Sequence, residues 1–132
     1  MEILVLEDRQ DVIDLFVQNI SKDHEVHYVK TSTDAIWNIS QNSYDVIFLD
    51  HDVPSTHEHN GLEVAIFLAT RFLMIERLNP QLCPSIKNLM PKVVIHSRNK
   101  FGSACMKQIL PNALCWPGIQ EFPEQLSDII WH

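Results

Sequence analysis

Paired cysteines, clustered basic residues and long apolar stretches are scarce in this chain of 132 residues. The three cysteines (Cys83, Cys105 and Cys115) are odd in number and form no CxxC pair, which argues against a thiolate zinc knuckle or a disulfide framework. Ten basic residues against seventeen acidic ones give a net charge of −7, and no Lys/Arg run stands out. Duplex DNA is therefore not an expected partner, although a small anion can still bind through a metal ion or local donors.

No apolar stretch is long enough to cross a bilayer, so no membrane association is expected. The N-terminus also lacks the basic region and long apolar core of a signal peptide. Together with the unpaired cysteines, these features predict a cytoplasmic protein. The length suits one domain over residues 1–132, and 45% hydrophobic residues predict an ordered core. No repeat, low-complexity tract or linker is visible.

Apolar runs alternate with amphipathic segments along the chain. Strands are predicted at residues 3–6, 24–29, 46–49, 93–95 and 113–116. Helices are predicted at residues 11–20, after the N-cap candidates Thr31 to Thr33, and at 62–78, 104–110 and 122–131. This alternation predicts an α/β fold with a parallel sheet between two helical layers. We assume five strands in the order 2-1-3-4-5 that flavodoxin-like sandwiches have, so that the first, third and fourth strands are neighbours.

Three of the predicted strands end in polar residues. These ends are Glu7-Asp8, Asp50-His51-Asp52 and His96-Ser97. Right-handed crossovers place all carboxyl ends of a parallel sheet at one edge, which is where such sheets bind ligands. A single acid after a strand is commonly a cap or a solvated loop residue, but three such ends favour a functional cluster.

The residue types at this edge suit a divalent cation. Asp8 beside Asp50, helped by Glu7 or Asp52, would form a hard oxygen site for Mg²⁺ or Mn²⁺. A histidine ligand from His51, His57, His59 or His96 would shift the preference toward Mn²⁺, Zn²⁺ or Fe²⁺. Without a cation the carboxylates repel each other, so at least one pKa should rise. His96, which continues a buried strand, is interpreted as a ligand, a general acid or base, or a hydrogen-bonded structural histidine.

Other histidines and one tryptophan carry weaker expectations. His57 and His59 lie in a polar loop over residues 53–60, where a solvated loop is favoured over a lid. His24 and His27 are expected to be ordinary surface residues. Trp116 is interpreted as core filler in preference to a base-stacking platform.

Four segments resemble the receiver domains of bacterial response regulators, over nearly the whole chain. They are Ile3 to Asp8 with the acidic pair, Asp45 to Asp50 with the phospho-acceptor position at Asp50, Asn60 to Glu63 at a helix start, and Val93 to Ser97 with the switch hydroxyl at Ser97. The resemblance implies the flavodoxin-like fold and a divalent metal near Glu7 and Asp8. It also implies protein partners, with or without phosphorylation of Asp50.

Two departures separate the chain from an ordinary phospho-switch. Receivers end their fifth strand with Lys-Pro, whereas this chain has Trp116-Pro117 and so lacks the phosphate-binding cation. His51-Asp52 also follows Asp50, where receivers continue with apolar residues or Met-Pro. Leu-Asp-His-Asp together with Val-Ile-His-Ser resembles the cyclic-phosphate processing receiver domains, a branch found in phages and bacteria.

Two functions follow. The first is a metal-dependent phosphoesterase that acts on a small cyclic phosphate or an RNA end. Its predicted metal ligands are Glu7, Asp8, Asp50 and Asp52, and its predicted catalytic residues are Asp50, His51, His96 and Ser97. The alternative is a non-enzymatic receiver that acts through a protein partner, with or without phosphorylation of Asp50. A purely structural domain without a ligand is the third interpretation.

Overall fold

A computed structural model of the chain describes residues 1–20, 23–52, 60–78, 91–97 and 99–116. Its strands are β1 (Glu2–Leu6), β2 (Glu25–Val29), β3 (Val46–Leu49), β4 (Lys92–Ile95) and β5 (Leu114–Cys115). The helices in the described ranges are α1 (Gln10–Ile20), α2 (Ser32–Gln41), α3 (Gly61–Leu78) and α4 (Lys100–Ile109). The five strands of the described residues are parallel and follow the order β2-β1-β3-β4-β5, which confirms the predicted flavodoxin-like fold.

The central strands are apolar on both faces because both faces are covered. The residues of β1 after Glu2 and all of β3 are buried, as a strand in the middle of a parallel sheet requires. At the sheet edge, β5 is more exposed, and Leu114 retains 47% of its accessible surface. The contrast explains why β1 and β3 were the clearest strands in the sequence.

Alternating side chains of the sheet form two cores. One face packs against α1, and its core includes Val5, Phe16, Phe48 and Trp116. The other face packs against α2, α3 and α4, and its core includes residues such as Leu6, Ala35, Leu68 and Met106. Trp116 is buried within the first core, in agreement with its interpretation as core filler.

Helix starts follow side-chain caps. The Thr31 hydroxyl caps α2 by accepting from the Asp34 N–H at 3.1 Å, as the sequence predicted. Asn99 caps α4, so this helix begins at Lys100 and not near residue 104. The predicted helix at 122–131, residues 53–59 of the predicted loop and Pro117 lie outside the described residues. None of the described helices has the length and apolarity needed to cross a membrane.

Candidate functional site

The register of the sheet aligns the strand ends that carry polar residues. Leu6 pairs with Leu49, and Leu49 pairs with Ile95. The ladder then continues one residue further, because the Asp50 N–H donates to the Leu6 carbonyl at 3.2 Å and the His96 N–H donates to the Leu49 carbonyl at 2.9 Å. The residues that follow the three central strands therefore lie side by side at one edge of the sheet.

Three carboxylates meet at this edge. Glu7, Asp8 and Asp50 each offer an oxygen, and these oxygens lie within 4.8 Å of one another. Glu7 and Asp50 are buried, whereas Asp8 is half-buried. An all-oxygen set of this kind suits Mg²⁺ or Mn²⁺ better than Zn²⁺.

Burial and mutual repulsion make these carboxyl groups weaker acids. Burial raises the pKa of Glu7 to about 8, and repulsion by the Asp50 charge adds to this rise. The Arg9 N–H, which donates a hydrogen bond to Glu7, opposes the rise. Burial also raises the pKa of Asp50 to about 6, opposed by hydrogen bonds from the Asp52 N–H and the Ser97 hydroxyl. The expected rise therefore occurs at two groups, and Glu7 holds a proton near neutral pH.

His96 lies behind the carboxylates in the core. Its side chain is fully buried, and its Nδ1 is 3.5 Å from Oε2 of Glu7. Neither ring nitrogen has a hydrogen-bond partner of good geometry among the described residues, and the ring packs edge-on against Phe16 at a centroid distance of 5.3 Å. Burial lowers the pKa of His96 to about 4, with the Leu6 carbonyl opposing the shift. The contact with Glu7 therefore joins two neutral groups and is not an ion pair.

We expect His96→Leu to gain about 2 kcal/mol of stability over the wild type as the pH falls from 8 to 5. The depressed pKa means that folded His96 resists protonation, so its contribution is complete above about pH 6.5 and is lost toward pH 4. Leucine cannot take up that proton and fits the apolar surroundings. Urea unfolding at both pH values measures the difference, and His24→Leu at the opposite end of the sheet is the control. An equal difference at pH 8 and pH 5 would contradict the burial of a neutral imidazole.

His51 and Asp52 form a second group beside the carboxylates. Nδ1 of His51 is 2.8 Å from Oδ1 of Asp52, and Nδ2 of Asn99 is 3.2 Å from the same oxygen. The hydrogen bond from His51 lowers the pKa of Asp52, which is therefore ionised at neutral pH. The described contacts of the Asp52 side chain thus go to His51 and Asn99, and Asp52 is not part of the three-carboxylate cluster.

Ser97 connects the two groups. Its hydroxyl donates to Asp50, and its oxygen accepts from the Asn99 N–H at 3.1 Å. The structure thus places Ser97 beside Asp50, where the sequence predicted it. The contribution of Asn99 was missed, and its only sequence signal was a capping residue type shortly after a strand.

Gly61 fixes the backbone that carries Asp50 and His51. Its N–H donates to the His51 carbonyl at 2.9 Å, and a Cβ at this position would lie 1.8 Å from the Asp50 carbonyl oxygen. The Asn-Gly pair predicted a turn, but only the structure shows the approach of α3 to β3. Glycine is required here because no side chain fits.

Gly61→Ala should lower the free energy of unfolding by about 3 kcal/mol, because the backbone at Asp50 must move to admit the methyl group. Chemical denaturation measures the effect, and Thr70→Ala at an exposed position of the same helix is the matched control. Unchanged stability in Gly61→Ala would show that α3 does not approach Asp50 as described.

Two expectations about the remaining histidines have different outcomes. His27 is not an ordinary surface residue, since it is half-buried and its Nδ1 lies 2.7 Å from the Tyr44 hydroxyl. It also groups with Glu2 and Glu25 at the amino end of the sheet, away from the candidate site. His57 and His59 lie outside the described residues, so their solvation stays a prediction.

A five-stranded parallel sheet in this order, with an acidic cluster and a hydroxyl beside the aspartate of the third strand, defines a receiver domain. The sequence profile described as "Cyclic-phosphate processing Receiver domain" matches residues 3–112. The chain belongs to this family. No curated protein of significant sequence similarity was found.

Solved structures of receiver domains share the fold. The response regulatory domain of protein mrkE from Klebsiella pneumoniae has a TM-score of 0.68 and 14% identity, with 99% of this chain and 93% of that chain covered. A CheY-like receiver domain from Methanospirillum hungatei has a TM-score of 0.67 and 16% identity, with 98% and 90% covered. TrrA from Thermotoga maritima, in complex with Mg²⁺-BeF, has a TM-score of 0.62 and 16% identity, with 97% of each chain covered. At these identities the similarity concerns the fold.

Proposed function

We propose that this receiver domain is a metal-dependent phosphoesterase that hydrolyses cyclic phosphates, with RNA ends or cyclic nucleotides as the substrate class. The observation that carries this proposal is the juxtaposition of two chemical groups at one sheet edge. The Glu7-Asp8-Asp50 cluster has the geometry of a cation site, and the ionised Asp52 beside His51 is suited to orient a general base. A phospho-switch does not need the second group.

Glu7, Asp8 and Asp50 would hold Mg²⁺ or Mn²⁺. A bound cation polarises a phosphate and lowers the pKa of bound water. The solved structure of TrrA is a complex with Mg²⁺-BeF, which supports the proposal of a cation site in this chain. In this chain the proton on Glu7 must leave when a cation binds, because its raised pKa keeps it neutral in the metal-free protein.

His51 is the candidate general base because 15% of its side chain is exposed, whereas that of His96 is fully buried. In the proposed reaction the His51 imidazole accepts a proton from water, and the water oxygen bonds to phosphorus. One ester P–O bond of the cyclic phosphate then breaks. The leaving oxygen then takes up a proton from the solvent, and His51 releases its proton to the solvent. Ser97 would donate a hydrogen bond to a phosphate oxygen once it releases Asp50. His96 would act indirectly in the reaction, by contacting the carboxyl group of Glu7 from the core side of the cluster.

The test is turnover of a panel of 2′,3′- and 3′,5′-cyclic nucleotides and cyclic-phosphate RNA ends, followed by ³¹P NMR with Mg²⁺ or Mn²⁺. We expect ring opening by the wild type, none in EDTA and none in the Asp50→Asn, His96→Ala double variant. Asp14→Asn, at an exposed position of α1, is the control. Hydrolysis that persists unchanged in the double variant would remove the proposal.

The second candidate is a receiver that acts through a protein partner. The observation that favours it is the Ser97 hydroxyl beside Asp50, together with the acidic pair Glu7 and Asp8. Against it, the buried Trp116 occupies the end of β5 where receivers carry lysine. Incubation with acetyl phosphate and Mg²⁺, followed by intact mass, discriminates the two. A phosphoryl adduct that is absent in Asp50→Asn favours the switch.

A further inference from the structure

We infer that Asn99, the N-cap of α4, and Gly102, in the first turn of that helix, are positioning residues that hold His51 in one orientation and one tautomer, with Nε2 free of hydrogen. The use of Nε2 as the proton acceptor rests on the proposed function. The orientation itself rests on contacts between the loop after β3 and the start of α4.

The orientation of the Asn99 amide is fixed by its capping role. Its Oδ1 accepts from the Gly102 N–H at 2.8 Å, so its Nδ2 group is directed away from the helix. That nitrogen lies 3.2 Å from Oδ1 of Asp52 and 3.4 Å from Nδ1 of His51. The cap therefore decides which end of the amide meets the His51-Asp52 pair.

The tautomer of His51 follows from Oδ1 of Asp52, which lies within hydrogen-bond distance of both the Asn99 amide and the His51 ring. An ionised carboxylate only accepts hydrogen bonds, so Oδ1 of Asp52 takes one from Asn99 and one from His51 at 2.8 Å. Nδ1 of His51 must therefore carry the hydrogen. A neutral imidazole has only one N–H, and Nε2 is left with its lone pair available.

Gly102 provides the surface on which the ring lies. A Cβ at Gly102 would be 2.4 Å from Cγ, 2.5 Å from Cδ2 and 2.6 Å from Nδ1 of His51. All three contacts are with the ring, so even a methyl group would displace the imidazole from its place against the helix. Glycine within a helix costs about 1 kcal/mol relative to alanine. The close approach of His51 accounts for glycine at this position.

Asn99→Ser and Gly102→Ala test the inference separately. Serine retains an N-cap oxygen but lacks the amide that donates to Asp52, so the helix start is preserved while the positioning contact is lost. Gly102→Ala displaces the ring directly. The tautomer is read from long-range ¹H–¹⁵N NMR of the full chain in EDTA at about pH 9, where imidazoles are neutral. His51→Gln assigns the signals.

We expect wild-type His51 to show a protonated Nδ1 and an unprotonated Nε2. Both variants should lose this single pattern, whereas the signals of the buried His96 should not change. A protonated Nε2 in the wild type, or an unchanged His51 pattern in Asn99→Ser, would overturn the inference. If Gly102→Ala fails to fold, Asn99→Ser decides the result alone.

Turnover of cyclic phosphates by the same variants separates the inference from the proposed function. We expect kcat to fall on the order of a hundredfold with little change in KM, since a small misplacement of a catalytic group has that cost. The expected NMR pattern without any hydrolysis by the wild type would contradict the proposed function and leave the positioning role intact. Hydrolysis at the wild-type rate by Asn99→Ser with an altered NMR pattern would show that positioning by Asn99 does not serve the reaction and would overturn that part of the inference.

Discussion

Asp50→Asn is expected to stabilise the metal-free protein by about 3 kcal/mol at pH 8, and to abolish its stabilisation by Mg²⁺ or Mn²⁺. The pKa of Asp50 rises from 3.8 to about 6 and that of Glu7 from 4.5 to about 8. Folded carboxyl groups of this kind bind protons more tightly than unfolded ones. Their stability contribution is therefore complete below about pH 4 and is lost as the pH rises through 6 and 8.

Asparagine retains the shape of the side chain without the charge. The substitution removes the cost of burying one carboxylate and the repulsion that this carboxylate exerts on Glu7. It also removes a central ligand from the cation site, so the gain in EDTA and the loss of the cation effect should occur together.

Urea unfolding at pH 5, 6, 7 and 8, in EDTA and in excess Mg²⁺, measures both effects. The advantage of Asp50→Asn over the wild type in EDTA should grow with pH. Asp14→Asn removes an exposed carboxylate of the same type and should show neither effect. A variant less stable than the wild type at pH 8 in EDTA would contradict the account of a strained acidic cluster.

His51→Gln is expected to reduce kcat for cyclic-phosphate hydrolysis by about 10²- to 10⁴-fold, the range for loss of a general acid or base. Asp52 and Asn99 orient the ring, and glutamine cannot exchange a proton at neutral pH. The His51 side chain is not part of the three-carboxylate cluster, so cation affinity should change little.

Steady-state kinetics with the best cyclic substrate, at saturating Mn²⁺, measures this effect. His24→Gln, next to the amino end of β2, is the control for a histidine outside the site. Equal loss of kcat and of cation binding would assign His51 to the metal centre and not to proton transfer. Wild-type kcat in His51→Gln would exclude it from both roles.

The sequence predicted the sheet and its polar edge because both depend on local patterns. Continuous apolar runs at β1, β3 and β4 require burial on both faces, and the parallel order then brings their carboxyl ends together. This is why Glu7, Asp50 and His96 were expected at one edge, and their adjacency follows from the register. A rise in carboxylate pKa was expected from like charges at close range, whereas burial is its main cause in the structure and repulsion adds to it.

The fine arrangement of the site depends on contacts between elements and was not predictable in the same way. Predicting α4 to begin near residue 104 concealed Asn99 as a cap, and with it the contacts to Asp52 and His51. The approach of the His51 ring to Gly102 is likewise a matter of packing between a loop and a helix. Sequence alone could not show that His96 points into the core beside Phe16 without a hydrogen-bond partner of good geometry among the described residues.

We propose that the carboxylates at the strand ends hold a divalent cation. Calorimetric titration of Mg²⁺, Mn²⁺ and Zn²⁺ into metal-free protein tests it most directly, with wild type and Asp50→Asn compared in two buffers of different ionisation enthalpy. We predict one Mg²⁺ or Mn²⁺ per wild-type chain, release of about one proton at pH 7, and no binding by the variant. Absence of binding by all three cations, or equal binding by Asp50→Asn, would contradict the claim.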